Sequence, residues 1–139
     1  MLFAKDLGAS FVSSVKLNQE ILRASRDCGV PILGGIESLS ELQDALNLGV
    51  ENIKIYPAHS MRDDSVKSLI EEASRNTNRC SIIVAGGVSK TNAKSYLDMG
   101  ADGLAVGYDC KNVILSPFAL LESLAGVVQA CRGSKASLQ

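Results

Sequence analysis

The chain has 139 residues, 46% of them hydrophobic, enough for one domain with a real core and too apolar for a disordered segment. The net charge is −1 with no basic run, which argues against nucleic acid as a partner, because phosphate-backbone binding needs clustered Lys and Arg. The longest apolar candidate, Phe118 to Ala130, is broken by Glu122 and Ser123, and Met1-Leu2-Phe3-Ala4 lacks a charged leader, so the sequence reads as a cytoplasmic protein with no membrane partner.

In chain order, Leu2 to Ala9 reads as the tail of a helix closed by Gly8. Ser10 to Ser14 is a strand, and Asn18 is a candidate N-cap for a helix through about Asp27, ended by Gly29. Val30 to Gly35 is a strand running into a glycine turn. Ser38 or Ser40 starts the next helix, with Leu39, Leu42, Ala45, Leu46 and Leu48 at helical spacing and Gly49 at its end. Val50 to Tyr56 is a third strand. Asp63-Asp64 opens a helix as N-cap and first-turn acid. Cys80 to Ala85 is a strand that meets Gly86-Gly87-Val88, Ser89 to Met99 holds a short helix ended by Gly100, and Asp102 to Gly107 is the last strand. A final amphipathic helix runs from Pro117 to about Arg132. Residues 1–132 read as one domain and 133–139 as a polar, frayed tail.

Glycines at 8, 29, 49 and 100 thus punctuate a strand-then-helix unit about 20 residues long. Strand, helix and strand at this pitch mean right-handed βαβ units and a parallel sheet. The strands are continuous apolar runs, as expected for strands covered on both faces. Both an open doubly wound sheet and part of a (β/α)8 barrel fit. The barrel is favoured because Gly34-Gly35, Tyr56-Pro57, Gly86-Gly87 and Gly107 all fall at strand ends, where barrels carry their working loops. The fold expectation is therefore α/β, a partial (β/α)8 barrel of five βα units corresponding to its C-terminal part.

Lys54 stands out within Asn52-Ile53-Lys54-Ile55-Tyr56-Pro57-Ala58. Lysine is almost never buried unless paired or used. Burial lowers its pKa and makes a usable amine nucleophile. Strand alternation leaves two readings open: an exterior lysine that snorkels to water, or an interior one beside the strand-end loops. Gly86-Gly87-Val88, between strand and helix, is able to bring backbone amides close to an anion, although such a turn is also ordinary tight geometry. An amine beside an anion cradle suggests a Schiff-base enzyme acting on a phosphorylated carbonyl compound. His59, the lone histidine, is either a surface residue or a proton shuttle. With one histidine there is no zinc set, and neither metal nor cofactor is expected. Cys28, Cys80, Cys110 and Cys131 are far apart and read as reduced thiols.

Five stretches in order resemble the 2-keto-3-deoxy-6-phosphogluconate and 4-hydroxy-2-oxoglutarate aldolases, the class I pyruvate aldolases. Gly8-Ala9-Ser10-Phe11-Val12-Ser13-Ser14 is similar to G-A-x-F-x-x-S-P, and Gly29 to Ile36 to G-I/V-P-x-x-P-G-V/I. Lys54-Ile55-Tyr56-Pro57-Ala58 resembles K-F-F-P-A, Gly86-Gly87-Val88 resembles P-T-G-G-I/V, and Leu104 to Gly107 resembles the last strand before G-G-S. Leu17-Asn18 also matches an L-N of that family.

The resemblance implies that Lys54 forms the imine with a 2-keto acid and that Tyr56 and Pro57 pack around it. It also implies that Gly34, Gly86, Gly87 and Gly107 line the substrate site, and that the protein is a homo-oligomer. The implied reaction cleaves a 2-keto-3-deoxy sugar acid, or 4-hydroxy-2-oxoglutarate, to pyruvate and an aldehyde. The family's acid-base glutamate and carboxylate-binding arginine come from units that this sequence does not contain. Gly34 replaces a proline, Ala85 a threonine, and Tyr108-Asp109 follows Gly107. The alternative is a catalytically incomplete barrel fragment that binds an anion or a partner subunit.

Overall fold

The computed structural model describes residues 1–76, 80–107, 124–129 and 131. The elements run α1 (Leu2–Asp6), β1 (Val12–Ser13), α2 (Gln19–Cys28), β2 (Ile32–Ile36), α3 (Leu39–Asn47), β3 (Asn52–Ile55), α4 (Asp63–Arg75), β4 (Ser81–Ala85), α5 (Ala93–Asp98) and β5 (Gly103–Ala105), with a 3-10 turn at Ala58–Ser60. Residues 124–129 are helical, as expected for the last helix. The rest of that helix, the tail, Cys110 and Tyr108-Asp109 lie outside the described residues.

The sheet is parallel throughout, in the order β1-β2-β3-β4-β5, and it curls into half a barrel. Each unit is built from local signals. The Asn18 side chain accepts from the Ile21 amide at 2.8 Å, and the Ser38 hydroxyl from the Glu41 amide at 3.2 Å, so both cap their helices. Gly29 closes α2 at φ 67°, a left-handed conformation that side chains with a Cβ resist. Inside that turn the buried Ser25 hydroxyl donates to the Val30 carbonyl at 2.6 Å. At the other edge the Asp102 carboxylate accepts from the Ile82 amide at 2.9 Å and ties β5 to β4.

Two expectations change. The N-cap of α4 is Arg62, so Asp63 and Asp64 occupy the first turn, where they face the positive end of the helix dipole without capping it. The strands are also not equally covered on both faces. Ile32, Ile36, Ile53, Ile55, Ile82 and Val84 point outward and are buried under the helices with Leu42, Val66, Leu69 and Ile70. Leu33 and Ile83 point inward and are half-buried. Five strands complete only part of a turn, so the inner side is a concave surface with a cavity of about 290 Å³ lined by Phe11, Leu33, Asn52 and Ile83.

Gly35 lies on that inner side, opposite Lys54 in the register. A methyl group there would run into the Val15 carbonyl, while the Leu17 amide donates to the Gly35 carbonyl at 3.0 Å. The chain leaving β1 is therefore laid directly on β2. Gly35→Ala is expected to cost about 1–3 kcal/mol through overpacking. Gly107→Ala, where no described residue lies within 4 Å, is expected to stay within about 0.5 kcal/mol of the parent. Urea unfolding of both variants checks this, and equal midpoints would contradict it.

Candidate active site

β3 decides which way Lys54 points. Ile53 and Ile55 are both 0% exposed in the outer core, so alternation sends Lys54 to the concave side, where it is 9% exposed. Its side chain spans β2 and donates from Nζ to Ser13 Oγ on β1 at 2.7 Å. Two residues further along β3's path, Tyr56 returns to the same face and its ring centroid lies 5.0 Å from Nζ. Burial pushes the Lys54 pKa below its usual value. Among the described residues no carboxylate forms an ion pair with this amine.

The loops after β3 and β4 interlock above Lys54. The Tyr56–Pro57 peptide is cis. Gly86 and Gly87 have φ of 86° and 73°. A methyl group at Gly86 would meet the Tyr56 ring and Pro57 Cα at 3.1 Å, and one at Gly87 would meet His59 Cβ at 2.5 Å. The His59 amide donates to the Gly86 carbonyl at 3.1 Å, while the rest of His59 is exposed. The following turn is held by Asn92, whose side chain accepts from the Ser89 amide at 2.8 Å and donates to the Gly87 carbonyl at 3.0 Å.

The structure thus brings Lys54, Tyr56, Pro57, Gly86 and Gly87 together. Gly34 lies in register with Ile53 and packs beside Leu17, on the face opposite Lys54, while Gly107 sits exposed after β5. Sequence reading missed Ser13 and Gly35. The only signal for Ser13 was its place on the neighbouring strand, and for Gly35 its one-residue offset from Gly34. Cys28, Cys80 and Cys131 are free thiols, and burial pushes Cys80 up, away from reactivity.

A family model for KDPG and KHG aldolases matches residues 1–113. The chain belongs to the KDPG and KHG aldolase family. It is 28% identical over 98 residues to the 2-dehydro-3-deoxy-phosphogluconate aldolase of Haemophilus influenzae, covering 70% of this chain and 44% of that protein. It is 32% identical over 94 residues to the enzyme of the same name from Pseudomonas aeruginosa, covering 68% of this chain and 41% of that protein. The chain therefore spans less than half the length of these curated relatives. The solved structure described as "Native KDPGal structure" superposes with a TM-score of 0.78 at 22% identity, over 93% of this chain and 61% of the other. That likeness gives the fold, a barrel-type arrangement of parallel strands and helices.

The lowered Lys54 pKa has a consequence for stability. Below its folded pKa the amine is charged in both states and the burial cost is fully present. Between that value and the usual 10.5 the unfolded chain binds more protons, so the cost fades as pH rises. Lys54→Met should therefore be more stable than the parent at neutral pH, with an advantage that shrinks as pH approaches 10.5. Urea unfolding over a pH series measures this, and a pH-independent difference would contradict it.

Proposed function

We propose that this chain carries the imine-forming site of a class I pyruvate aldolase, a lyase. The supporting observation is the buried Lys54 amine, on the concave face under the interlocked Tyr56–Pro57 and Gly86–Gly87 loops, in a chain of this family. Its neutral form attacks C2 of a 2-keto acid, water leaves, and a protonated imine forms. The C3–C4 bond then breaks as the C4 hydroxyl loses its proton. The bonding pair moves into the imine to give an enamine, and an aldehyde departs. The enamine takes a proton at C3, and water releases pyruvate and restores the amine.

Desolvation supports the first step, because it raises the fraction of amine that is unprotonated near neutral pH. Tyr56 supplies a flat face beside the imine carbon. On this reading Pro57, Gly86 and Gly87 shape the far end of the substrate site, with Gly107 further from the amine, Gly34 lies outside it on the opposite face of the sheet, and Gly86-Gly87 bears the far phosphate when the sugar acid carries one. The substrate is a 2-keto-3-deoxy sugar acid or 4-hydroxy-2-oxoglutarate, no bound cofactor is required, and the protein works as a homo-oligomer.

A second reading is favoured by the concave face, where Phe11 is 59% exposed and β1 and β5 are the outermost strands among the described residues: a subunit that binds an anion or a partner without turning substrate over. Reduction with borohydride in the presence of pyruvate separates the two. The aldolase reading expects a stable adduct mapped to Lys54 by peptide mass spectrometry and its loss in Lys54→Met. Absence of any adduct on the parent chain, under conditions that label an intact relative, would leave the binding subunit as the better account.

A further inference from the structure

The hydroxyl that meets Lys54 belongs to a position that the family motif leaves open. In G-A-x-F-x-x-S-P the fixed serine falls on Ser14, and Ser13 occupies the preceding x. In the structure the two serines do different things, as neighbours on a strand must. Ser14 keeps its amide on the Leu33 carbonyl at 3.1 Å, and its hydroxyl is buried without a hydrogen-bond partner. Ser13 faces the concave side, is exposed, and accepts from Lys54 Nζ at 2.7 Å.

We propose that Ser13 is a positioning residue for Lys54, fixing the direction of the amine and its protonation through that hydrogen bond. The geometry requires a long reach. Lys54 is in register with Gly35, and Ser13 is in register with Leu33, two residues nearer the start of β2. The lysine must therefore extend diagonally across β2, and a four-carbon stem that long is poorly directed unless its end is tethered. Among the described residues, the Ser13 hydroxyl and the Tyr56 ring hold it.

Among the described residues, no other hydrogen bond and no ion pair engages the amine. On β2 the residue facing it is Gly35, and on β4 it is Ile83. Among the described residues, the titratable groups that follow these strands are Lys16 after β1, Glu37 and Glu41 after β2, Tyr56, His59, Arg62, Asp63 and Asp64 after β3, and Lys90 after β4. Lys16 is bound to Glu37 at 2.8 Å and lies 3.8 Å from Glu41, and no ion pair links any of them to Lys54. At the start of β5, Asp102 is engaged with the Ile82 amide. Because Ser13 is exposed, it also gives the tethered amine a hydroxyl in contact with water, through which protons exchange.

This inference rests on the imine-forming reading, so its test uses one measurement that needs no keto acid and one that does. The first is competitive acetylation of Lys54 in the full chain with acetic anhydride over a pH series, mapped by peptide mass spectrometry. The second is the rate of borohydride trapping with pyruvate. An acceptor from the ammonium favours the charged form, so Ser13→Ala should move the acetylation midpoint of Lys54 to lower pH by about half to one unit. It should also slow trapping about three- to tenfold above that midpoint, where the amine is neutral, because the amine has lost its direction. Ser13→Thr, which keeps the hydroxyl, should restore both to within about twofold, a rescue that a purely structural role would not give.

An unchanged midpoint and trapping rate in Ser13→Ala would overturn the proposal while leaving the aldolase reading intact. A shifted midpoint in a chain that traps no pyruvate would support Ser13 and sink the aldolase reading instead. Failure of threonine to rescue either readout would also count against the hydroxyl as the acting group.

Discussion

An amine buried in an apolar sheet dictates much of what surrounds it. Lys54 lies between Ile53 and Ile55, both fully enclosed in the outer core, so neither neighbour on its strand offers the amine a polar group. Water is largely shut out, and a charged ammonium there is costly. The partner has to come from another strand, and curvature makes that possible. A flat sheet would hold β1 and β3 two strand spacings apart, close to ten ångströms. Curling the sheet brings the concave-side groups of β1 and β3 toward each other over β2, and Lys54 meets Ser13 there. The convex side is buried against the outer helices, where Leu42, Val66, Leu69 and Ile70 pack with the outward-facing strand residues.

Glycine is needed where backbone segments must come close around this amine. Gly35 lets the chain leaving β1 lie on β2, and Gly86 and Gly87 let the β4 loop lie against Tyr56, Pro57 and His59. At Gly87 the constraint is doubled, since its φ is left-handed and the space a Cβ would fill belongs to His59. His59 is thereby better explained as a wall of the loop than as a proton carrier. Its backbone amide donates to the Gly86 carbonyl, and its Cβ and the near edge of its ring lie against Gly87.

Much of the fold was legible because the signals were local. The glycines that end helices, the Asn18 and Ser38 caps and the apolar runs place every strand and helix among the described residues to within a few positions. The α4 cap was misread because two adjacent aspartates look like a cap and a first-turn acid. Only the backbone shows that both lie inside the helix. The direction of Lys54 was not legible from alternation alone, because Ile53 and Ile55 would suit either face of a strand covered on both sides. What breaks the tie is the helix layer, which claims one face and leaves the other concave. Ser13 was invisible for a related reason. Its contact is made across 41 positions of sequence and one intervening strand, and serine in a strand carries no signal of its own.

The same geometry separates two abilities that an aldolase combines. Forming an imine needs a neutral, directed amine and protons that water is able to deliver at nitrogen and oxygen. On the proposed reading, Lys54, whose pKa burial lowers and whose amine is tethered to an exposed hydroxyl, is suited to those needs. Breaking the C3–C4 bond needs in addition a base at the C4 hydroxyl, and general acid-base groups contribute about 10²–10⁴-fold to such steps. No carboxylate among the described residues hydrogen-bonds or ion-pairs with the amine. On the proposed reading, β1, β3 and their loops carry the nucleophile and its orientation as a unit, and a base at the C4 hydroxyl is a separate requirement. Imine formation and turnover are then separable properties, and the first is the one that these strands encode.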